Sequence, residues 1–302
     1  LTNNNWTGGD DMSIRHPIIS VTGSSGAGTS TVKHTFNQIF RREGVKAATI
    51  EGDAFHRYNR YEMKDELHRR TEEGDNTFSH FSIEANLLKD LEETFRSYGE
   101  TGTGRTRQYV HSAEEAEQCG VEPGYFTDWQ DLDPDSDLLF YEGLHGAVKT
   151  DDINIAGHAD LKIGVVPVIN LEWIQKIHRD YEARGYSTEA VADTILRRMH
   201  SYVNVICPQF AQTDINFQRV PVVDTSNPFV ARWIPTPDES LVVIRFRDPR
   251  GIDFPYLISM IQGSWMSRAN SIVIPGSKLD LTMQLILTPM IRRLVERARR
   301  AH

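Results

Sequence analysis

Cysteine is nearly absent: the 302 residues hold two, Cys119 and Cys207, far apart and in no CxxC spacing. That leaves no disulfide framework or cysteine zinc site to expect, and a reducing, cytoplasmic setting fits. No apolar run reaches the roughly 20 residues of a membrane-spanning helix, and none resembles a signal peptide. An excess of positive charge is also lacking. Lys and Arg number 33 against 42 Asp and Glu, for a net charge of −9, which argues against a nucleic-acid binder. The eleven histidines show no metal-ligand spacing. His145 and His200 read as structural, and His111 as a loop residue within reach of a site. There is no internal repeat and no Pro- or Ser-rich linker, so one domain is the simplest expectation. The polar Leu1–Asp11 segment, which precedes Met12, reads as a leader or expression remnant outside the fold, with residues 12–302 forming the domain.

With 39% hydrophobic residues, a sizeable core can be buried. Ile18–Val21 is a short apolar run that reads as a buried strand. A glycine-rich turn follows at once. Ser30 to Arg42 reads as a helix with Val32, Phe36, Ile39 and Phe40 on one side, stopped at Gly44. Val45 to Ile50 reads as a second strand. Further strands are expected at Leu138–Tyr141, Leu161–Val168, Val220–Val223, Leu241–Phe246 and Ile272–Ile274. The stretch from His56 to Arg107 is expected to be partly helical, and Gly99–Asp137 to be long loops, which in compact domains are often functional. Leu171–Arg184 and Thr188–Tyr202 read as two helices broken by Gly185, and Leu279 to about Arg300 as a terminal helix. Strand and helix interleave as in a largely parallel α/β sheet.

The turn carries the first chemistry. Gly23, Ser24, Ser25, Gly26, Ala27, Gly28, Thr29 and Ser30 fit GxxxxG-x-[ST] between a strand and a helix. Glycines let backbone N–H groups converge on one centre, and the helix N-terminus adds partial positive charge. Such a loop cradles nucleotide phosphates, with Ser30 placed to reach Mg²⁺ and Thr31 beside it. The usual lysine is missing, because Thr29 stands in its place. A tight serine-rich turn without a ligand is the plain alternative. If the loop binds ATP, cations must come from elsewhere, and Lys176, Arg179, Arg184, Arg197 and Arg198 around Gly185 are the supply.

Phosphoryl transfer to an alcohol further needs a metal ligand and a base. Asp53 follows the second strand at the carboxyl edge of the sheet, where ligands of parallel sheets bind. It reads either as that base or as a helix N-cap. Glu142 ends the apolar run Leu-Leu-Phe-Tyr and matches the Walker B position for Mg²⁺, against a solvent-facing strand end. Lys176, Arg179 and Asp180 share one helical face. They read as a cation cluster with an acid, or as part of an exposed ladder with Glu172. Gly185 marks a hinge, so residues 171–202 read as a helical lid. The arginines of the terminal helix, Arg292 to Arg300, read as a solvated face near a helix C-terminus.

The runs ISVTGSSGAGTS, EGDAFHR, FYEGLHG, NLEWIQKIHRD and DTSNPF resemble the bacterial phosphoribulokinases over residues 13 to about 298. The loop without lysine resembles that family's loop as well. The resemblance implies a P-loop, nucleoside-monophosphate-kinase-like fold. It implies that ATP phosphorylates D-ribulose 5-phosphate to ribulose 1,5-bisphosphate in the Calvin cycle, with Mg²⁺. By the same resemblance, Asp53 falls on the catalytic base, Glu142 on the Walker B acid and Asp180 on a second acid acting through Mg²⁺. His56, Arg60 and Lys176 fall on residues that bind the sugar phosphate, and Arg179 and Arg184 on lid or transition-state arginines. The family implies an octamer activated by NADH and inhibited by AMP, with Arg42, Arg245 and Arg268 at the effector site. Ala27 replaces a regulatory cysteine of the plant enzymes, so thiol switching by that route is not expected. Two other readings stay open: a related kinase acting on a nucleoside or another sugar phosphate, and a nucleotide-binding regulator without catalysis.

Overall fold

The computed structural model describes residues 15–24, 29–166, 168–184 and 187–301; the expected leader, Leu1–Asp11, lies outside them. Strand β1 (Ile18–Gly23) is buried at every position because it runs in the middle of the sheet. Helix α1 (Thr29–Glu43) ends at Gly44, whose φ of 62° is the left-handed stop expected there. Next come β2 (Ala47–Glu51), α2 (Arg60–Glu72) and α3 (Leu88–Thr101). Asn59 caps α2, accepting from the Tyr61 and Glu62 N–H groups in a full capping box.

An arm follows that contains β3 (Arg105–Thr106), α4 (Ala113–Cys119) and β4 (Gln130–Asp131), with β3 and β4 paired as a small ribbon. The chain re-enters the sheet at β5 (Leu138–Gly143), passes α5 (Ile155–His158) and returns as β6 (Leu161–Val166). Helices α6 (Ile169–Arg184) and α7 (Thr188–Ser201) form a hairpin closed by Ile177, Val191 and Ile195. A π-helical stretch at Tyr202–Ile206 leads into the short α8 (Cys207–Gln209). The remaining elements are β7 (Ile215–Pro221), β8 (Ser240–Phe246), α9 (Phe254–Met260), β9 (Trp265–Arg268), β10 (Ser271–Pro275) and α10 (Leu279–Ala301).

Eight strands form one sheet in the order β2-β5-β1-β6-β7-β8-β10-β9. The first five are parallel, and β8, β10 and β9 are added antiparallel. Alternation divides the sheet between two layers. Ile19, Val21, Leu138 and Phe140 face α1 and α10, while Ile18, Leu139 and Tyr141 face α3. Both buried hydroxyls within β1 are satisfied: Ser20 donates to the Gly146 carbonyl at 2.6 Å, and Thr22 donates to Gln209 Oε1 at 3.1 Å.

Two strand expectations needed correction. The seventh strand is Ile215–Pro221, not Val220–Val223. Its sheet-facing residues Ile215 and Phe217 alternate with Asn216 and Gln218, so no apolar run marks it, while Val222 is 60% exposed beyond its end. Strand β9 was not anticipated. It is a four-residue edge strand with Trp265 and Arg268 exposed, and carries no buried pattern to read. The terminal helix matches its plain reading. Arg292 pairs with Glu43, Arg297 with Asp160 at 3.0 Å and Arg299 with Asp137 at 3.0 Å, so this basic face is tied to its own chain.

Phe140 stacks on Phe36 at 4.7 Å and Phe40 at 5.5 Å between centroids, where α1 meets the sheet. Phe140→Ala should cost about 3–5 kcal/mol, because the aromatic cluster cannot collapse into the space. Urea unfolding checks this by a lower midpoint at unchanged slope.

Candidate active site

Parallel pairing brings the carboxyl ends of β1, β2, β5 and β6 to one edge. There β1 runs out toward the glycine-rich turn and α1 begins beyond it. Ser25, Gly26, Ala27 and Gly28 lie outside the described residues, as do Gly185 and the side chains of Thr29, Ser30, Thr31 and Arg184. Ser24 is fully buried at the end of β1.

The strands β2 and β5 end in register, Glu51 opposite Glu142. Gly52 and Gly143 then pass closely: a Cβ on Gly143 would sit 2.6 Å from the Gly52 Cα, and one on Gly52 2.8 Å from the Gly143 Cα. Only glycine fits at both places. Their contact brings the turn that carries Asp53, one residue past Gly52, against the strand end that carries half-buried Glu142, at the carboxyl edge of the sheet.

Asp53 does not cap a long helix. It lies in the short turn Gly52–Phe55, and its carboxylate faces two imidazoles. Oδ1 lies 3.1 Å from His56 Nε2 and Oδ2 lies 3.4 Å from His111 Nε2. Desolvation raises the Asp53 pKa, but the charge and hydrogen bond of His56, with His111 beside it, outweigh it. The carboxyl ends well below its usual range and stays ionised. Arg60 joins the cluster from α2, since its Nη2 donates to the His111 carbonyl at 3.3 Å. His111 therefore reaches the site from its loop, as expected.

Arg107 was not singled out from the sequence. Its Nε donates to the Ala54 carbonyl at 2.8 Å and its Nη2 to the His56 carbonyl at 2.7 Å. The guanidinium is stacked 3.6 Å above the Phe126 ring and 4.7 Å from that of Trp129. It thus clamps the turn that carries both Asp53 and His56. His80 was missed too: its ring lies 5.0 Å from His56, and burial among cations pushes it down to about 3, which keeps it neutral. His145 is structural as expected, buried and pushed down to about 4, with Nε2 at 3.2 Å from the Phe81 carbonyl. No periodicity marks Arg107 or His80, because loop packing brings them in.

The second cluster is on α6. Lys176 and Asp180 are 7% and 2% exposed, so the exposed-ladder alternative is wrong. Lys176 contacts Asp180 Oδ2, and Arg179 Nε donates to Asp180 Oδ1 at 3.2 Å. Burial and the Arg198 charge push Lys176 down to about 8, with Asp180 opposing. Glu172 faces Ser24 and Tyr202, and burial raises its pKa despite them. A small cavity between α6 and α7 is lined by Glu172, Lys176, Arg198 and Trp173, among others. Lys176 and Arg198 both act on His80, so the two clusters share one electrostatic field.

The effector expectations fall elsewhere. Arg42 donates to Gln284 and Thr288 across the α1–α10 seam. Arg245 and Arg268 both pair in register with Ser271, on strands flanking β10. The core layer shared with α10 is met by Ile244 and Ile272, so Arg245 and Arg268 lie on the other side of the sheet from Arg42. One chain does not bring the three together.

A base candidate, a strand-end acid and buried cations at one edge are parts that phosphoryl transfer uses. The family model described as "Phosphoribulokinase / Uridine kinase family" matches residues 18–226. The chain belongs to this family. It is 77% identical over 288 residues to phosphoribulokinase 1 of Cereibacter sphaeroides, covering 95% of this chain and 99% of that protein. It is 73% identical over 290 residues to the phosphoribulokinase of Nitrobacter vulgaris, covering 96% and 100%. The solved phosphoribulokinase structure from Rhodobacter spheroides superposes with a TM-score of 0.88 at 74% identity, covering 95% of this chain and all of that one. In a kinase of this family the turn that carries the acid must hold still. Arg107→Ala should lower turnover about tenfold or more, since each charged hydrogen bond contributes roughly 1.5–3 kcal/mol. Arg107→Lys, which keeps the charge and loses the fork, should fall between. Steady-state kinetics on the two variants check the order.

Proposed function

We propose that this protein transfers the γ-phosphoryl group of ATP to the terminal hydroxyl of D-ribulose 5-phosphate, giving ribulose 1,5-bisphosphate and ADP. The reaction belongs to carbon fixation by the Calvin cycle. The observation that carries this reading is Asp53: an ionised carboxylate between His56 and His111, with Arg60 bonded to the His111 carbonyl, at the carboxyl edge of the sheet.

Asp53 takes the proton of the sugar hydroxyl as its oxygen closes on the γ-phosphorus. The bond from the γ-phosphorus to the β,γ-bridging oxygen breaks, and ADP leaves with that oxygen. The depressed pKa keeps Asp53 ionised and so free to accept the proton, which in a loose transition state is transferred late. His56, Arg60 and Lys176 hold the sugar phosphate. The turn at 23–31 holds ATP, and Arg179 with Arg184 takes the place of the missing loop lysine. The hairpin α6–α7 is the lid that brings them in, hinged at Gly185. Glu142 offers Mg²⁺ a hard oxygen donor, with Asp180 and Ser30 as further ligands. Among the described residues no three His, Cys, Asp or Glu side chains cluster as a metal cage. Mg²⁺ in such sites keeps waters and phosphate oxygens as its other ligands, so one or two carboxylates suffice. When bound, the ion neutralises charge on the β- and γ-phosphates.

NADH activation, AMP inhibition and a homo-octamer complete the reading. Arg245 and Arg268, aligned on one exposed row, support an anion site there. Arg42 joins it only if a second chain supplies it. No described helix is long and apolar enough to cross a membrane; a cytoplasmic place is part of the proposal.

Coupled ADP release with Mg-ATP tests the reading. Turnover should require ribulose 5-phosphate, and Asp53→Asn should lower kcat about 10²- to 10⁴-fold, the range of a lost general base, while ATP binding survives. Turnover with uridine in place of ribulose 5-phosphate would replace the substrate and keep the kinase.

A further inference from the structure

Asn86 sits just before α3 and is 3% exposed. Its side-chain Nδ2 donates to two carbonyls, His80 at 2.9 Å and Ser82 at 2.7 Å. Both amide hydrogens are thereby used, which fixes which way the amide points. Its Oδ1 then faces His56 Nδ1 at 2.7 Å. An amide oxygen can only accept, so Nδ1 carries a proton. On the other side of the ring, Nε2 faces the ionised Asp53 carboxylate at 3.1 Å, and this contact also requires a proton. Both ring nitrogens are donors, and a ring with both protons is a cation.

The backbone holds the pair in place. His56 and Asn86 form an isolated antiparallel bridge. On either side, the Arg57 N–H donates to the Ala85 carbonyl at 2.9 Å and the Leu87 N–H to the Phe55 carbonyl at 2.7 Å. Two other histidines, half-buried His80 and buried His145, act as internal controls. His80 and His145 lie in the same field and are both pushed well down and neutral. Neither has a carboxylate on one nitrogen and a fixed amide oxygen on the other. The titratable groups facing His56 are Asp53 on its own turn, His80 from the loop before α3, Tyr109 from the arm with its ring 6.4 Å away, His145 from the loop after β5, and Arg198 from α7. Burial depresses His56 first, Arg198 adds to that, and Asp53 with Asn86 more than reverses both, so its pKa ends raised.

We propose that Asn86 is a positioning residue that locks His56 as a doubly protonated cation, ready for a phosphate monoester dianion. This rests on the reading that His56 meets the phosphate of the sugar. Asn86 touches no reacting atom; it acts through His56. The sign follows from the raised pKa: the charge persists to higher pH in the native protein than on a free imidazole, and is lost at lower pH without the amide oxygen.

The test uses Asn86→Leu, which removes the acceptor and both donors, and Asn86→Asp, which keeps an acceptor and loses the donors. Wild-type KM for ribulose 5-phosphate should stay flat from about pH 7 to 8.5, while Asn86→Leu should raise it about tenfold by pH 8, the weight of one lost charged contact, at nearly unchanged kcat. Asn86→Asp should keep KM near wild type even though its Tm falls. Ring ¹⁵N NMR of His56 should show both nitrogens protonated in the wild type and in Asn86→Asp at neutral pH. Equal, pH-independent rises in KM for both variants would assign Asn86 to packing alone and overturn the proposal. So would one bare ring nitrogen in the wild type. If Asn86→Leu does not fold, the NMR comparison still decides. If the wild type does not turn over ribulose 5-phosphate, the substrate reading fails while the NMR still tests the lock.

Discussion

The two glycines at the ends of β2 and β5 let neighbouring strands carry their loops into contact before either turns away. Parallel strands alone would bring Asp53 and Glu142 to the same edge, but side chains at 52 or 143 would splay the loops. The hydroxyl of Tyr141 is packed beneath the same contact, at 2.6 Å from where a Cβ on Gly52 would be. Tyr141 in turn packs its ring on Phe95 of α3, 5.5 Å between centroids. The approach of the two strand ends that carry Asp53 and Glu142 is therefore set by the core.

Around that pair the charges are arranged for anionic ligands. Asp53 is matched by His56 and His111, Asp180 by Lys176 and Arg179, and Glu172 lies near Arg198 and Lys176. Two further histidines stay neutral inside the same field. The cations nearest to burial are each paired with an acid, which limits the cost of holding them in a low-dielectric place. A phosphate that arrives can compete for the same donors. Binding then exchanges one partner for another, and no bare charge has to be stored in the empty site.

The sequence exposed the parts that obey a period. β1, β5 and β6 are short apolar runs because both of their faces are covered, the edge strand β2 buries only Ala48 and Ile50, and Gly44 ends α1 where a left-handed residue was needed. Asp53 and Glu142 were legible because they stand three residues and one residue beyond the last apolar residues of such strands, Ile50 and Tyr141. β7 was displaced because half of its residues are polar, and β9 was hidden because an edge strand has little to bury. The exposed ladder on α6 was misjudged for a different reason. Spacing places Glu172, Lys176 and Asp180 on one face but does not say what covers that face, and here α7 and the residues around Phe81 do.

Asn86, His80 and Arg107 lie beyond what any period can show. They come from two segments, His80 and Asn86 from the connection between α2 and α3 and Arg107 from the arm after α3, and each acts on the turn at Asp53 through one or two hydrogen bonds or a ring contact. Arg107 reads in the sequence as one basic residue among many. Its role depends on Phe126 and Trp129, which lie about twenty residues further on and close over it only after the arm folds back. The arm has little core of its own and is held by such contacts, including the antiparallel bridge between Tyr109 and Phe126. Stability of the arm and geometry of the acid turn are thus one property, because the same guanidinium serves both.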